Sequence, residues 1–248
     1  MTLKAKIKPA AGFSRIVHFL LLVLLPLLVF VFVRLRFYEL AATLILLSKW
    51  RMLAVKPRHW PANIRANGVD ITVSLSFLIF MMNSSSQMLQ LVWTMLFMGW
   101  LIVLKPRSDQ ISVALQAFAA QALGISALLT QWGDASLYVL VPATWIICYA
   151  AARHFLTAYD EPLTKFLSTL WAYFAAALMW LLGHWLLFYG VVAQPTLLLT
   201  VVSLGLASIY YLDTNDKLSY GLKRQVLFVT TAVVVIVIVF SDWGDKAV

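Results

Sequence analysis

The chain is 248 residues long, 62% hydrophobic and 12% charged, with a net charge of +9. A soluble domain is about half apolar and about a quarter charged, so this much apolar surface cannot be buried in one small core and must face lipid. The basic residues flank apolar runs, so membrane orientation and lipid contact explain them and a nucleic-acid partner is not expected.

Residues 1–15 form a basic tail carrying Lys4, Lys6, Lys8 and Arg15. No small-residue cleavage site follows the apolar run behind it, so the first hydrophobic segment is expected to stay in the mature protein. A membrane-spanning helix needs about 20 mostly apolar residues. Runs of that character occur at Ile16–Val33, Val69–Met82, Met88–Leu104, Gln110–Thr130, Ser136–Ala152, Lys165–Tyr189, Pro195–Leu212 and Gln225–Phe240. The links between the later ones are short, which makes consecutive helices antiparallel neighbours. The expectation is an all-α fold: one transmembrane domain over 1–248, a polytopic helical bundle with eight clear spans.

Leu35–Trp50 is a candidate short ninth. Its apolar heart, Leu40–Leu47, is bracketed by Arg36 and Glu39 before and by Lys49 and Arg51 after. It either crosses with its end charges snorkelling or lies along the interface. No Gly, Pro or Asn marks a turn before it.

Residues 49–68 form a basic-aromatic loop, with Lys49, Arg51, Lys56, Arg58, His59 and Arg65 beside Trp50 and Trp60. From this loop onward the cations alternate by connection. Twelve fall on one side: Lys49, Arg51, Lys56, Arg58 and Arg65, then Lys105 and Arg107, Arg153 and Lys165, and Lys217, Lys223 and Arg224. The other side carries only Lys246. Positive loops resist translocation, so the side with twelve is expected to be cytoplasmic and the C-terminus outside, in a plasma (inner) membrane. Keeping the basic tail inside requires Leu35–Trp50 to cross, giving nine spans. A surface-lying segment gives eight and puts the tail outside.

Gln131–Ser136 and Asp242–Ala247 share a Trp-Gly-Asp tripeptide four spans apart. A duplicated unit would produce that spacing, but an interfacial Trp with a helix-ending Gly explains each copy locally. Cys148, the only cysteine, sits in an apolar run; an internal disulfide and a Cys-rich metal site are excluded, and the residue reads as packing.

Few ionisable residues fall within the spans. His18 and His184 are the clearest, and His184 stands at helical spacing from Trp180 and Phe188. Gln116 and Gln121 share a helix with the small pair Ala120 and Gly124. They either bond across packed helices or, with His184, line a cavity. This helix and the alanine-rich one at Ala172–Leu178 are the expected packed centre. The acids read mainly as helix caps: Asp70 with Asn67, Asp109 with Ser108, and Asp160-Glu161-Pro162 as the start of a helix. Asp160, Asp213 and Asp216 carry the alternative, a magnesium-diphosphate site.

Two functions from different classes fit. One is a bundle without catalysis, either transporter- or channel-like or a subunit of a membrane complex. Its cytoplasmic loop would contact anionic lipid through Lys49, Arg51, Lys56, Arg58, His59 and Arg65. The other is an intramembrane enzyme acting on a lipid phosphate or diphosphate at the cytoplasmic face. The first needs no cofactor, only membrane lipid and other membrane subunits as partners. The shortage of buried acids favours it.

Overall fold

The structure is a computed structural model and describes residues 11–185 and 188–242, the side chains of residues 11–18 and of Arg51 apart. His18, the Arg51 side chain and most of the second Trp-Gly-Asp segment therefore lie outside the described residues. The fold is an all-α bundle of ten helices among them, with one two-residue hairpin as its only sheet.

The chain begins with α1 (Ala11–Arg34) and turns into α2 (Tyr38–Leu47). Arg36 makes that turn at a φ of 62°, and Phe37 N–H bonds back to the Phe32 carbonyl, a Schellman closure without glycine. α3 (Trp60–Ala66) and α4 (Gly68–Met82) follow, bent 63° from each other. α5 (Gln87–Gly99) runs on into a π-helical turn, Trp100–Leu104, and is capped by Ser86, whose side chain accepts from Leu89 N–H. The remaining helices are α6 (Gln110–Trp132), α7 (Leu137–Thr157), α8 (Thr164–Gly183), α9 (Gln194–Thr214) and α10 (Tyr220–Phe240). Six helical stretches are long and apolar enough to cross a membrane, namely α5 with its π-turn and α6 to α10; the bent pair of α3 and α4 makes a seventh if counted as one. The described part of α1 and the ten-residue α2 are shorter apolar helices.

The expected count of eight clear spans is thus not confirmed; the expected boundaries lie within five residues of the observed ones, with one exception. The run expected to stay helical to Tyr189 ends at Gly183. Beyond it, strands β1 (Phe188–Tyr189) and β2 (Val192–Ala193) pair antiparallel around Gly190 at φ 62°. Phe188 is therefore a strand residue and no longer on a helical stripe with His184.

α6 is the most enclosed of the long helices and packs on α4, α7 and α9. Gly124 makes this approach feasible: a Cβ there would meet Thr72 Cγ2 at 2.6 Å and Ile147 Cγ2 at 2.9 Å. The small pair thus marks the packed centre as expected. α8 does not share that centre. Its small face, with Ala172, Ala175 and Ala176 buried, lies against α7 while the rest is largely exposed. Val29, Ile45, Val73, Met81 and Phe97 form one apolar core among α1, α2, α4 and α5. A second joins Ile125, Leu140, Cys148, Met179 and Leu199.

Side-chain bonds gather the basic connections at one end of the bundle. Lys49 and Lys105 meet there on Asp70. His154 meets Gln116 at 2.8 Å, and Tyr210 donates to Glu161 at 2.5 Å. At the opposite end Asn83 donates to Gln131 at 2.7 Å and Asp242 N–H bonds the Phe188 carbonyl. α2 runs antiparallel to α4 between the two ends. Glu39 shares a groove with Met82 and Gln131, while Lys49 reaches the start of α4.

Candidate functional site

The basic end holds the densest polar construction among the described residues. Asp70, in the first turn of α4, is buried and does not cap it with Asn67 as expected. Asn67 instead bonds the Asn63 carbonyl through its amide. Asp70 Oδ2 receives both Lys49 Nζ and Lys105 Nζ, the latter at 2.6 Å, and Oδ1 accepts the Trp100 indole N–H at 3.1 Å. A carboxylate this enclosed is costly unless its lone pairs are taken up by charged donors, and here three donors converge on it.

The π-turn sets these donors in place. A π-turn inserts one extra residue into a helix and frequently marks a functional position. It directs Trp100 at Asp70, and the Lys105 N–H bonds the Trp100 carbonyl at 2.9 Å. Where this helix ends, Gln116 Nε2 takes up two carbonyls, those of Leu104 at 2.7 Å and Arg107 at 2.9 Å. Gln116 Oε1 faces His154 Nε2. One polar chain thus links the end of α2, the start of α4, the π-turn, α6 and α7.

Among the described cations of the basic loop, Lys49 is the buried one, its side chain 5% exposed. Burial holds its ammonium below the usual lysine range, at about 8. The nearby Lys105 charge acts in the same direction, and Asp70 opposes both. Where the sequence suggested a surface lipid contact, the side chain is buried in an ion pair with Asp70. The loop's other cations stand differently. Lys56, Arg58, His59 and Arg65 are exposed; Arg58 Nε donates to His59 Nε2 at 2.9 Å and Arg65 Nε to the Pro61 carbonyl at 2.9 Å. Trp50, Leu53, Trp60 and Ile64 are exposed among them. The Trp60 indole ties the loop down by donating to the Leu53 and Val55 carbonyls.

Gln121 is buried and fully used. Its Nε2 donates to the Leu199 carbonyl and Ser203 Oγ, and its Oε1 accepts from Trp171. It is a tie among α6, α8 and α9. His184 is exposed at the end of α8 and bonds the Trp180 carbonyl at 2.7 Å. A groove of about 400 Å³ opens between α2, α4 and α6, but Gln116, Gln121 and His184 do not line it.

The acids of the magnesium reading stay apart. Among the described residues no three His, Cys, Asp or Glu side chains come together as metal ligands. Asp160 does not start α8. It follows α7 at φ 51°, with Glu161 N–H bonded to the Leu156 carbonyl, and Asp216 ends α9 in the same way at φ 54° with Lys217 N–H on Leu212. Both occupy the left-handed position of a Schellman closure. Glu161 receives Tyr210 and the Leu163 N–H. Asp213 is exposed. Asp109 alone caps as expected: it accepts Ser112 N–H at 3.0 Å, and hydrogen bonding from Ser112 holds its carboxyl below the usual carboxylate range.

Asp70, Trp100, Lys105 and His154 are the site members that sequence reasoning did not single out as a set. Asp70 carried a usable signal, being an acid near the start of an apolar helix with cations in the link before it and in the link after α5, at the same end of the bundle. Comparison with family models, with curated proteins and with solved structures gives no match.

Proposed function

We propose that this is a multi-pass membrane bundle without catalysis, a subunit or scaffold of a membrane assembly, whose basic face rests on anionic lipid at the cytoplasmic leaflet. The exposed segment from Trp50 to Ala66 carries this reading. Its helical part, Pro57–Ala66, turns away from α4 by 63°, and the segment presents Lys56, Arg58 and Arg65 together with Trp50, Trp60 and Ile64. A short helix lying across the bundle axis, with cations and aromatics exposed, suits the headgroup layer. The antiparallel course of α2 beside α4 supports nine crossings, with the basic end inside and the C-terminus outside. The full use of Gln116 and Gln121 in bonds between helices, and their absence from the groove, weighs against a polar conduit bordered by them.

Each Lys or Arg near an anionic leaflet contributes about 1 kcal/mol. The double variant Lys56→Gln, Arg58→Gln should therefore bind fluorescent phosphatidylglycerol roughly 30-fold more weakly than the parent. The measurement uses delipidated full-length protein in detergent, at low and at high salt. Wild-type binding should fall as salt rises. Equal affinities for the two proteins would reduce the loop to a topology signal.

A further inference from the structure

Two ammonium groups share a single carboxylate oxygen at the base of the bundle. With Lys49 and Lys105 both protonated, the cluster around Asp70 carries one positive charge that no other acid among the described residues balances. An ammonium has three donors. Asp70 engages one from each lysine, and no second protein acceptor meets either among the described residues. The Lys49 side chain is enclosed at 5% exposure, whereas Lys105 is exposed at 36%, so the unbalanced charge opens outward along Lys105. Desolvated ammonium groups with unspent donors are costly unless an acceptor completes them. The two nitrogens lie within ion-pair distance of one oxygen and hence a few ångström from each other. That spacing suits two oxygens of a tetrahedral oxyanion better than a single small halide. The π-turn fixes Lys105 in this position through its N–H on the Trp100 carbonyl.

We propose that Lys49 and Lys105 together bind a phosphate oxyanion at the open, Lys105 side of the Asp70 cluster, supplied by a lipid headgroup or as free phosphate. The site goes beyond the headgroup contact proposed above, because it uses none of the exposed cations Lys56, Arg58 and Arg65. Asp70 keeps the two lysines together without neutralising both, and the anion completes the charge.

Cys148 provides the readout, as the only cysteine and a fully buried one: a thiol-reactive dye labels it as the protein unfolds. Delipidated full-length protein in detergent is heated with the dye while inorganic phosphate or dihexanoyl phosphatidate is titrated, with sodium chloride at matched ionic strength as the control. The expected result is a saturating rise in the unfolding midpoint that chloride does not give. A response to inorganic phosphate identifies a free ion as sufficient; a response to phosphatidate alone identifies the headgroup. Lys105→Gln should raise the half-saturating concentration at least tenfold, Lys105→Arg should restore most of the response, and Lys223→Gln, which removes an exposed cation outside both sites, should leave it unchanged. No saturating response above chloride in the wild type overturns the proposal, as does a Lys105→Gln variant that titrates like the parent.

Discussion

Asp70 determines what Lys49 can do. Held at about 8 by burial, the Lys49 ammonium gives up its proton more readily in the folded protein than in the unfolded chain, where lysine titrates at about 10.4. Between those two values the unfolded chain binds more protons, so stability rises with pH through this window. The penalty of the buried charge is present in full below it and gone above it. In phosphate-free buffer the midpoint of Cys148 labelling should therefore climb as pH passes from about 8 to about 10.4. Lys49→Met should flatten that climb, and a wild-type midpoint that falls across the window would contradict the burial of this lysine. The partnership was not legible in the sequence. Lys49 stands among five other basic or histidine residues of its loop, and its acid lies 21 positions away. Charge counting marks the loop as basic but cannot say which cation folds inward.

Helix endings in this chain obey backbone geometry more than composition. Arg36, Asp160 and Asp216 all accept left-handed φ values where glycine is usual. A non-glycine residue in that conformation costs roughly 1–2 kcal/mol. Asp160→Gly and Asp216→Gly should therefore leave the unfolding midpoint unchanged or raise it. A fall in these variants, joined to a magnesium-dependent rise in the wild type that they lack, would restore the metal reading. Close approach makes the opposite demand at Gly124, where an added methyl meets Thr72 and Ile147. Gly124→Ala should lower stability by about 1–3 kcal/mol, measured by the same labelling assay. The long helices were legible because apolar runs of spanning length are a strong signal, and Ala120 with Gly124 marked the centre. The end of α8 was not: apart from His184 the sequence stays apolar from Leu181 through Val192, so hydrophobicity does not separate helix from hairpin and only Gly183 and Gly190 hint at the break. The π-turn has no sequence mark at all, since Trp100–Leu104 reads like any apolar stretch of helix.

At the scale of the molecule, nine alternating crossings would place the Trp50–Ala66 segment and the chain's end on opposite faces of the membrane. Single cysteines introduced at Ser85 and at Arg58 in a Cys148→Ala background test this in intact cells. An impermeant maleimide should label the first and not the second, and the reverse pattern would overturn the topology. The same scale shows what the π-turn is for. Five helices are tied together around one stretch that holds a residue more than an α-helix would. Deleting one residue from the regular α-helical turns of α5 that lead into it would swing the π-turn and the chain beyond it by about 100°. Lys105 would leave Asp70 and the Leu104 carbonyl would leave Gln116 in the same motion. A one-residue shortening here, harmless to hydropathy and length, would uncouple the whole base of the bundle at a stroke.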